Sequence, residues 1–351
     1  MSKEKAGPPQ YLGPEKAPNE DDSSLRPQSL GEFLGQKAMK ENLAVFIAAA
    51  RERGENLDHI FLTGPPGLGK TTLAQIVANE LRTEFAQTSA PALDKPKDLI
   101  GILTNLDRNG VFFIDEIHRL KPAIEEMLYI AMEDYKIDCV IGQGPGARTL
   151  QLPIQPFTLV GATTKAGNVS SPLVSRFGIT CRFSFYEAED MEAIVRRSAG
   201  ILNTGIDAAA AALLARSARG TPRILNRLLR RMRDFAQFRG ESRITRQVVE
   251  DGLQRLEIDA LGLEKYDREI LRIIVERYGG GPVGAETLAI SIGESSDTLE
   301  DYYEPYLIQA GLLQRTSRGR MATPLTYEHL GLQNGQGGRG NGQNNSQSSL
   351  F

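Results

Sequence analysis

The stretch Gly64-Pro-Pro-Gly-Leu-Gly-Lys70-Thr71 decides the fold, because it matches the Gly-x-x-x-x-Gly-Lys-Thr loop that binds phosphate. Its glycines let the backbone curl so that N–H groups face phosphate oxygens, and the helix that follows adds the positive end of its dipole. We expect Lys70 to bind the β- and γ-phosphates and the Thr71 hydroxyl to ligate Mg²⁺. ATP and Mg²⁺ are therefore the predicted ligands, bound here by Gly67, Gly69, Lys70, Thr71 and Thr72.

The segments around this loop predict alternating strands and helices. A short β-rich run, residues 59–63, leads into the loop, and residues 71–81 have helical character. Two further runs, 111–114 and 157–162, are fully apolar, as strands of a buried parallel sheet are. The pattern predicts a doubly wound α/β core.

An acidic pair follows the apolar run 111–114. Asp115 and Glu116 would lie at the carboxyl end of that strand, where open α/β sheets bind their ligands. We expect Asp115 to hold Mg²⁺ through a water and Glu116 to act as general base on the attacking water. Alone, such a pair could be an ordinary solvated turn, and nearby His118 receives no role.

Composition limits the function classes. The chain has 351 residues, 40% of them hydrophobic, and a net charge of −3, so any contact with DNA must come from a local basic patch. Its two cysteines, Cys139 and Cys181, have no zinc-like spacing and suit a reducing cytosol. The N-terminus lacks an apolar signal segment, and no apolar run is long enough to span a bilayer. We therefore expect a cytoplasmic protein without a membrane segment.

Changes of composition along the chain predict three domains between two tails. Residues 1–24 and 333–351 are poor in apolar residues, which indicates a disordered arm and a disordered tail. The pattern turns helical after Tyr186 and ends in two β-type runs around Ser317-Arg318-Gly319, which is typical of a winged helix. The predicted domains are a large ATPase domain over 25–185, a small helical lid over 186–258 and a winged-helix head over 259–332.

Further motifs resemble the AAA+ class of P-loop ATPases. The box Asp115-Glu-Ile-His118 also resembles that of some superfamily-2 helicases, but those use two tandem ATPase cores and this chain has one P-loop. Residues 160–164 resemble the sensor-1 segment, with Thr164 where Asn is usual. Residues 171–177 resemble the arginine-finger segment, which would make Arg176 a catalytic residue, and Gly220-Thr-Pro-Arg223 resembles sensor 2. The resemblance implies an AAA+ core with a parallel sheet and a helical lid.

An arginine finger has a clear physical role. The transition state of phosphoryl transfer carries charge on its equatorial oxygens, and one added guanidinium supplies about 10³–10⁵ in rate. If Arg176 acts in trans, the active site exists only between subunits, so a ring or stack is expected. Arg223 would act in cis on the γ-phosphate. Taken singly, either arginine could instead form a surface salt bridge.

The resemblance extends to one family, the RuvB family of bacterial Holliday junction branch-migration motors. It covers about Leu25 to Gly331 and rests on Leu25-Arg-Pro, on Glu133-Asp-Tyr135, on a hairpin around 142–146 and on the segment 314–320. The resemblance implies a homohexameric ring that moves duplex arms of a four-way junction, with RuvA docked on the hairpin 137–152 and RuvC in the same pathway. It also implies further nucleotide contacts at Leu25, Arg26, Glu133, Asp134, Tyr135, Arg176 and Tyr186.

The arginines of the last hairpin are the predicted DNA contacts. Arg315, Arg318 and Arg320 cluster with hydroxyl side chains, a set suited to phosphate oxygens and without an apparent base-reading pattern. The family resemblance assigns DNA contacts to Arg315 and Arg320. Without that resemblance, the hairpin could equally be a solubilising charged turn.

Two other functions compete with a DNA-translocating motor. A clamp-loader-like ATPase opens a protein ring on DNA, but many loader subunits carry a cysteine zinc module and a helical collar, and this sequence shows neither. An ATP-switched DNA-binding protein that hydrolyses slowly would also carry a P-loop. The complete set of Glu116, Arg176 and Arg223 argues against that second alternative.

Overall fold

The structure, a computed structural model, describes residues 23–141 and 148–332. The chain divides into two compact units. The first runs up to Leu256 and includes Ala260–Gly262, and the second comprises Glu257–Asp259 and the residues from Leu263 onward. The predicted tails 1–24 and 333–351 lie outside the described residues, apart from the short helical turn that begins at Ser23.

A five-stranded parallel sheet forms the centre of the first unit. In the order in which they pair across the sheet, its strands are β2 (Phe85–Ser89), β3 (Gly110–Asp115), β6 (Phe157–Thr163), β1 (Ile60–Thr63) and β7 (Ile179–Arg182). Strands β1 and β6 are buried along their whole length, and β3 is buried up to its last residue, because helices cover the sheet.

Five helices accompany this sheet. They are α1 (Lys37–Arg53), α2 (Lys70–Leu81), α3 (Pro96–Asn105), α4 (Pro122–Asp134) and α5 (Ser171–Val174). Helix α4 begins with proline, which suits the first turn because its missing N–H is not needed there. The apolar residues of α3 and α4 pack with those of β3 and β6 in one core, so these elements have fixed positions relative to the sheet. The predicted α/β P-loop core is confirmed.

A two-stranded antiparallel ribbon stands apart from the sheet. Strand β4 (Lys136–Ile141) pairs with β5 (Arg148–Pro153), and the register joins Lys136 to Pro153 and Ile141 to Arg148. The ribbon confirms the two strands of the hairpin that the sequence places ahead of β6. Its predicted turn, Gly142 to Gly146, lies outside the described residues.

The remainder of the first unit is a helical lid. Its elements are α6 (Ala188–Ile201), β8 (Gly205–Ile206), α7 (Ala208–Ser217), α8 (Pro222–Phe238), β9 (Arg243–Ile244) and α9 (Arg246–Arg255). Thr221 is the N-cap residue of α8, and Pro222 is its first residue. Asp207 is the N-cap residue of α7, but its side chain makes no capping hydrogen bond.

The second unit is a winged helix. Its elements are α10 (Lys265–Tyr278), α11 (Ala285–Ile292), α12 (Ser296–Thr298), a π-helical turn (Leu299–Tyr303), α13 (Glu304–Gln309), β10 (Leu313–Thr316), β11 (Gly319–Ala322) and α14 (Pro324–Leu330). The wing is the β10–β11 hairpin, in which Arg315 lies opposite Arg320. In the described part of the chain, no helix has the length and hydrophobicity to cross a membrane.

Candidate active site

The phosphate-binding loop joins β1 to α2 at the carboxyl edge of the sheet. Gly67 has φ +79°, and a Cβ there would lie 2.9 Å from Thr221 Cγ2 of the lid, so glycine is needed for both conformation and space. The Arg223 N–H donates to the Gly67 carbonyl over 3.3 Å. The loop and the start of α8 therefore meet around one cavity.

Lys70 fills the interior of the loop. Its Nζ donates to the carbonyls of Gly64 at 2.7 Å and Pro65 at 2.9 Å. Burial lowers the pKa of Lys70 to about 8, against the opposing effect of the Asp115 and Glu116 carboxylates. The ammonium is thus held by weak neutral acceptors, which phosphate oxygens can replace as stronger, charged ones.

The acidic pair faces the same cavity. Asp115 ends β3, and Glu116 follows with φ +52°, an uncommon conformation for a residue with a side chain. The backbone N–H of Glu116 donates to Asp115 Oδ1 over 3.0 Å, which fixes the Asp115 carboxylate against the backbone of the next residue. Asp115, Glu116 and the Thr71 hydroxyl side chain all line the cavity, as the predicted roles require.

His118 is a site residue to which the sequence assigned no role. Its Nδ1 lies 2.8 Å from Thr163 Oγ1 and 3.4 Å from Glu116 Oε2. Thr163 Oγ1 also accepts the Lys165 N–H, and the next residue, Thr164, lines the cavity. The imidazole therefore connects the sensor-1 strand to the candidate base. Its position two residues after Glu116 was the only signal in the sequence.

The cavity extends from the loop to a wall of apolar side chains. The predicted residues that line it are Leu25, Arg26, Gly67, Gly69, Lys70, Thr71, Thr72, Asp115, Glu116, Thr164, Tyr186 and Arg223. Pro66 and Leu68 of the loop also line it, and sequence reasoning missed the remaining residues, which are Pro27, Glu32, Phe33, Leu34, Ile194, Arg197, Pro222 and Asn226. Apolar walls beside a phosphate loop suit the base of a nucleotide.

Two contacts tie the apolar end of the cavity together. Arg197 of the lid donates to the Leu25 carbonyl over 2.8 Å and so anchors the N-terminal segment. The Tyr186 hydroxyl donates to the Leu68 carbonyl over 3.0 Å, and burial raises the pKa of Tyr186, so the phenol stays protonated. These distant segments are brought together only by the fold.

Four predicted site residues do not line this cavity: Glu133, Asp134, Tyr135 and Arg176. Tyr135 packs against Phe157, the first residue of β6, with ring centroids 6.3 Å apart. Arg176 precedes β7, whose first residue pairs with Ile60, the first residue of β1. All four therefore lie towards the amino edge of the parallel sheet, while the phosphate loop leaves its carboxyl edge. Arg176 was expected to act in trans, which fits this position, and the nucleotide contacts predicted for Glu133, Asp134 and Tyr135 stay predictions.

The wing separates its arginines into two environments. Arg320 has a side chain only 8% exposed, and its Nε and Nη2 donate to Glu304, whose carboxylate is also buried. Arg315 is 56% exposed and lies 3.4 Å from Glu300, and Arg318 is exposed at the hairpin turn. The Arg320 guanidinium is therefore engaged by carboxylates inside the domain, and its predicted DNA contact stays a prediction.

Comparison with known families identifies the three parts of the chain. Residues 25–183 match a family model described as the Holliday junction DNA helicase RuvB P-loop domain. Residues 186–259 match the RuvB AAA lid domain, and residues 260–331 match the RuvB C-terminal winged helix domain. The chain belongs to the RuvB family. It is accordingly a P-loop AAA+ ATPase, the motor of Holliday junction branch migration.

Individual RuvB proteins are similar over nearly the whole length. The Holliday junction branch migration complex subunit RuvB of Treponema denticola is 71% identical over 318 residues, which cover 91% of this chain and 93% of that protein. The Treponema pallidum subunit is 65% identical over 91% of each chain. The solved structure of the Thermotoga maritima RuvB branch migration motor has a TM-score of 0.81 and 49% identity, and covers 88% of this chain and 99% of that one. Membership of this family excludes the clamp-loader and slow-switch alternatives.

Proposed function

We propose that the chain drives branch migration as a homohexameric ring around duplex DNA, docked on RuvA at a four-way junction in the cytoplasm, with RuvC acting in the same pathway. The observation that carries the ring is the separation of the site. The cavity contains the residues proposed to bind ATP and to activate the attacking water, whereas Arg176 lies towards the other edge of the same sheet. A second subunit would supply the missing guanidinium.

The cavity provides the chemistry of phosphoryl transfer. Lys70 and Arg223 neutralise the phosphates, and Glu116 takes the proton of the attacking water. Thr71 and Asp115 fit Mg²⁺, because this ion keeps several waters and takes one or two protein ligands beside the phosphates. The ion would offset the phosphate charge.

Arg176 completes the site of a neighbouring subunit. Strand β1 spans about 10 Å from Ile60 to Thr63, so the two edges of the sheet cannot share one bound phosphate. Glu133, Asp134 and Tyr135 lie with Arg176, and we assign their nucleotide contacts to the neighbour as well. Hydrolysis then depends on assembly.

The wing and the β4–β5 ribbon are the elements that we assign to contacts with DNA and with RuvA. Arg315 and Arg318 of the wing contact DNA phosphates, without base readout, and so permit movement along any sequence. The β4–β5 ribbon carries the half-exposed apolar side chain of Leu150, and the ribbon is the docking element for RuvA. An exposed apolar side chain on a hairpin outside the main sheet suits a protein contact.

The deciding experiment measures ATP turnover and strand exchange on a synthetic four-way junction, with and without RuvA. Linear duplex of the same length is the matched control. Junction movement that requires ATP, Mg²⁺ and RuvA is the expected result. Turnover without junction movement in the presence of RuvA would contradict the proposed coupling.

A further inference from the structure

One face of α4 carries three polar side chains at helical spacing. Glu125, Tyr129 and Glu133 are four residues apart, so they lie above one another on the same side of the helix. None of them lines the nucleotide cavity. All three contact the segment that carries Arg176.

Glu125 and the Tyr129 hydroxyl, on this face, contact the start of α5. Ser170 is the N-cap of α5, where its Oγ accepts the Leu173 N–H. The Ser170 hydroxyl donates to Glu125, and the Tyr129 hydroxyl donates to the same carboxylate over 2.5 Å. The Tyr129 and Ser170 oxygens are 3.1 Å apart. These contacts fix both the direction of the phenol ring and the origin of the finger segment.

The upper part of the face holds the guanidinium itself. The Arg176 Cζ lies 4.4 Å from the centre of the Tyr129 ring, and its Nη2 lies 3.1 Å from Glu133 Oε1. Its Nη1 donates to the Pro172 carbonyl over 2.7 Å. Arg176 is thus held from three directions by its own subunit.

A ring face has an advantage over another acceptor at this position. It attracts a cation through its quadrupole and occupies none of the five N–H donors of arginine. Within the described part of the chain, the Arg176 Nε makes no hydrogen bond. That nitrogen is buried, but Nη1 and Nη2 each carry a second N–H beyond those directed at Pro172 and Glu133. The guanidinium is therefore oriented and keeps these two N–H groups for phosphoryl oxygens.

We propose that Tyr129, anchored by Glu125 and Ser170, is a positioning residue for the trans-acting Arg176. The inference rests on the proposed function, because it assumes that Arg176 completes a neighbour's site. The carboxylate of Glu125 and the hydroxyl of Ser170 at the phenol oxygen hold the ring in the orientation that faces the guanidinium. Burial and the hydrogen bond that the phenol donates to Glu125 raise the pKa of Tyr129, which keeps the phenol protonated as the donor in this anchor.

The test compares Tyr129→Leu with Tyr129→Phe in the full chain. Leucine removes the ring beneath the guanidinium, whereas phenylalanine keeps the ring and loses only the anchor. We expect Tyr129→Leu to leave ATP affinity unchanged by calorimetry and to lower turnover about tenfold to a hundredfold, since a displacement of ~1 Å has that effect. Tyr129→Phe and Ser170→Ala should give smaller losses. Equal turnover of Tyr129→Leu and wild type would overturn the proposal.

Mixed rings separate positioning from a general structural defect. Glu116→Gln subunits cannot hydrolyse ATP but still offer an intact finger. Added to Tyr129→Leu subunits, they should raise turnover per Tyr129→Leu site, as they should for Arg176→Ala subunits. Rescue of Arg176→Ala without rescue of Tyr129→Leu would show that Tyr129 acts on its own site and would overturn the inference alone. Failure of both rescues would overturn the trans finger, and the inference with it.

Discussion

Removing the buried guanidinium of Arg320 should destabilise the winged helix without making the salt dependence of DNA binding shallower. Arg320→Met would deprive Glu304 of two hydrogen bonds, from Nε at 2.5 Å and from Nη2 at 3.2 Å. The Glu304 side chain is 2% exposed, so water cannot replace them. Breaking a buried pair from one side costs about 3–5 kcal/mol. Loss of the third bond, from Arg320 to Glu300, adds little to this free-energy cost because the Glu300 carboxylate is a third exposed.

Urea unfolding of the full chain, followed by hydrogen exchange with mass spectrometry, reports on this unit separately. Arg320→Met combined with Glu304→Leu should recover most of the loss, because an apolar pair replaces a buried ion pair at little cost. Arg315→Ala is the matched control on the same hairpin. It should change stability by less than about 1 kcal/mol, since Arg315 is mostly exposed.

DNA binding measured over a range of salt concentrations gives the second readout. Each phosphate contact contributes about −0.9 to the slope of log affinity against log salt. Arg315→Ala should therefore make the slope shallower by about one unit, and Arg320→Met should leave it unchanged. The reasoning is refuted if Arg320→Met folds as stably as wild type and makes the slope shallower by the same amount.

Three more predictions concern the ATPase unit. ATP binds better when the Lys70 ammonium is charged, and the pKa of Lys70 without nucleotide is about 8. The affinity for ATP, measured by calorimetry, should therefore be constant below pH 8 and fall about tenfold per pH unit above it. An affinity that stays constant up to pH 9.5 would contradict this. Gly67→Ala forces φ +79° on alanine and a contact with the lid, so nucleotide affinity should fall about tenfold, whereas Gly54→Ala, at φ +68° in open space, should leave it unchanged. His118→Phe should lower ATP turnover by about tenfold at unchanged nucleotide affinity, because Glu116 loses the imidazole nitrogen that lies 3.4 Å from its carboxylate. A kcat equal to that of the wild type would show that this contact does not support catalysis.

The sequence could predict the nucleotide site because its parts are local. The phosphate loop and the acidic pair each carry their chemistry within a few residues, and each follows an apolar strand of one parallel sheet. The carboxyl ends of such strands meet at one edge, so the motifs had to converge. The other end of the cavity could not be predicted in this way, because its lining includes lid residues such as Ile194 and Arg197, which only tertiary packing brings close to the loop.

The wing shows why the rest could not be predicted. Arg315 and Arg320 lie opposite each other in the β10–β11 register, so a pattern of alternation treats them alike. What distinguishes them is Glu304, which comes from a preceding helix and accepts hydrogen bonds from the buried Arg320, whereas the exposed Arg315 only approaches it to 3.9 Å. Burial of a charge depends on such a distant partner, and no periodicity in the sequence encodes it.

The topology of the sheet itself argues for assembly. In a parallel sheet, every loop that follows a strand leaves at the carboxyl edge, and every segment that precedes a strand arrives at the amino edge. The phosphate loop follows β1 and Arg176 precedes its neighbour β7, so the two halves of the proposed site point away from each other. An interface that joins them must pair different surfaces of two identical chains. Such head-to-tail contacts either close into rings or grow into filaments. In a closed ring, every subunit supplies its Arg176 to one neighbour and receives the Arg176 of the other neighbour. Every site of the proposed motor is then complete.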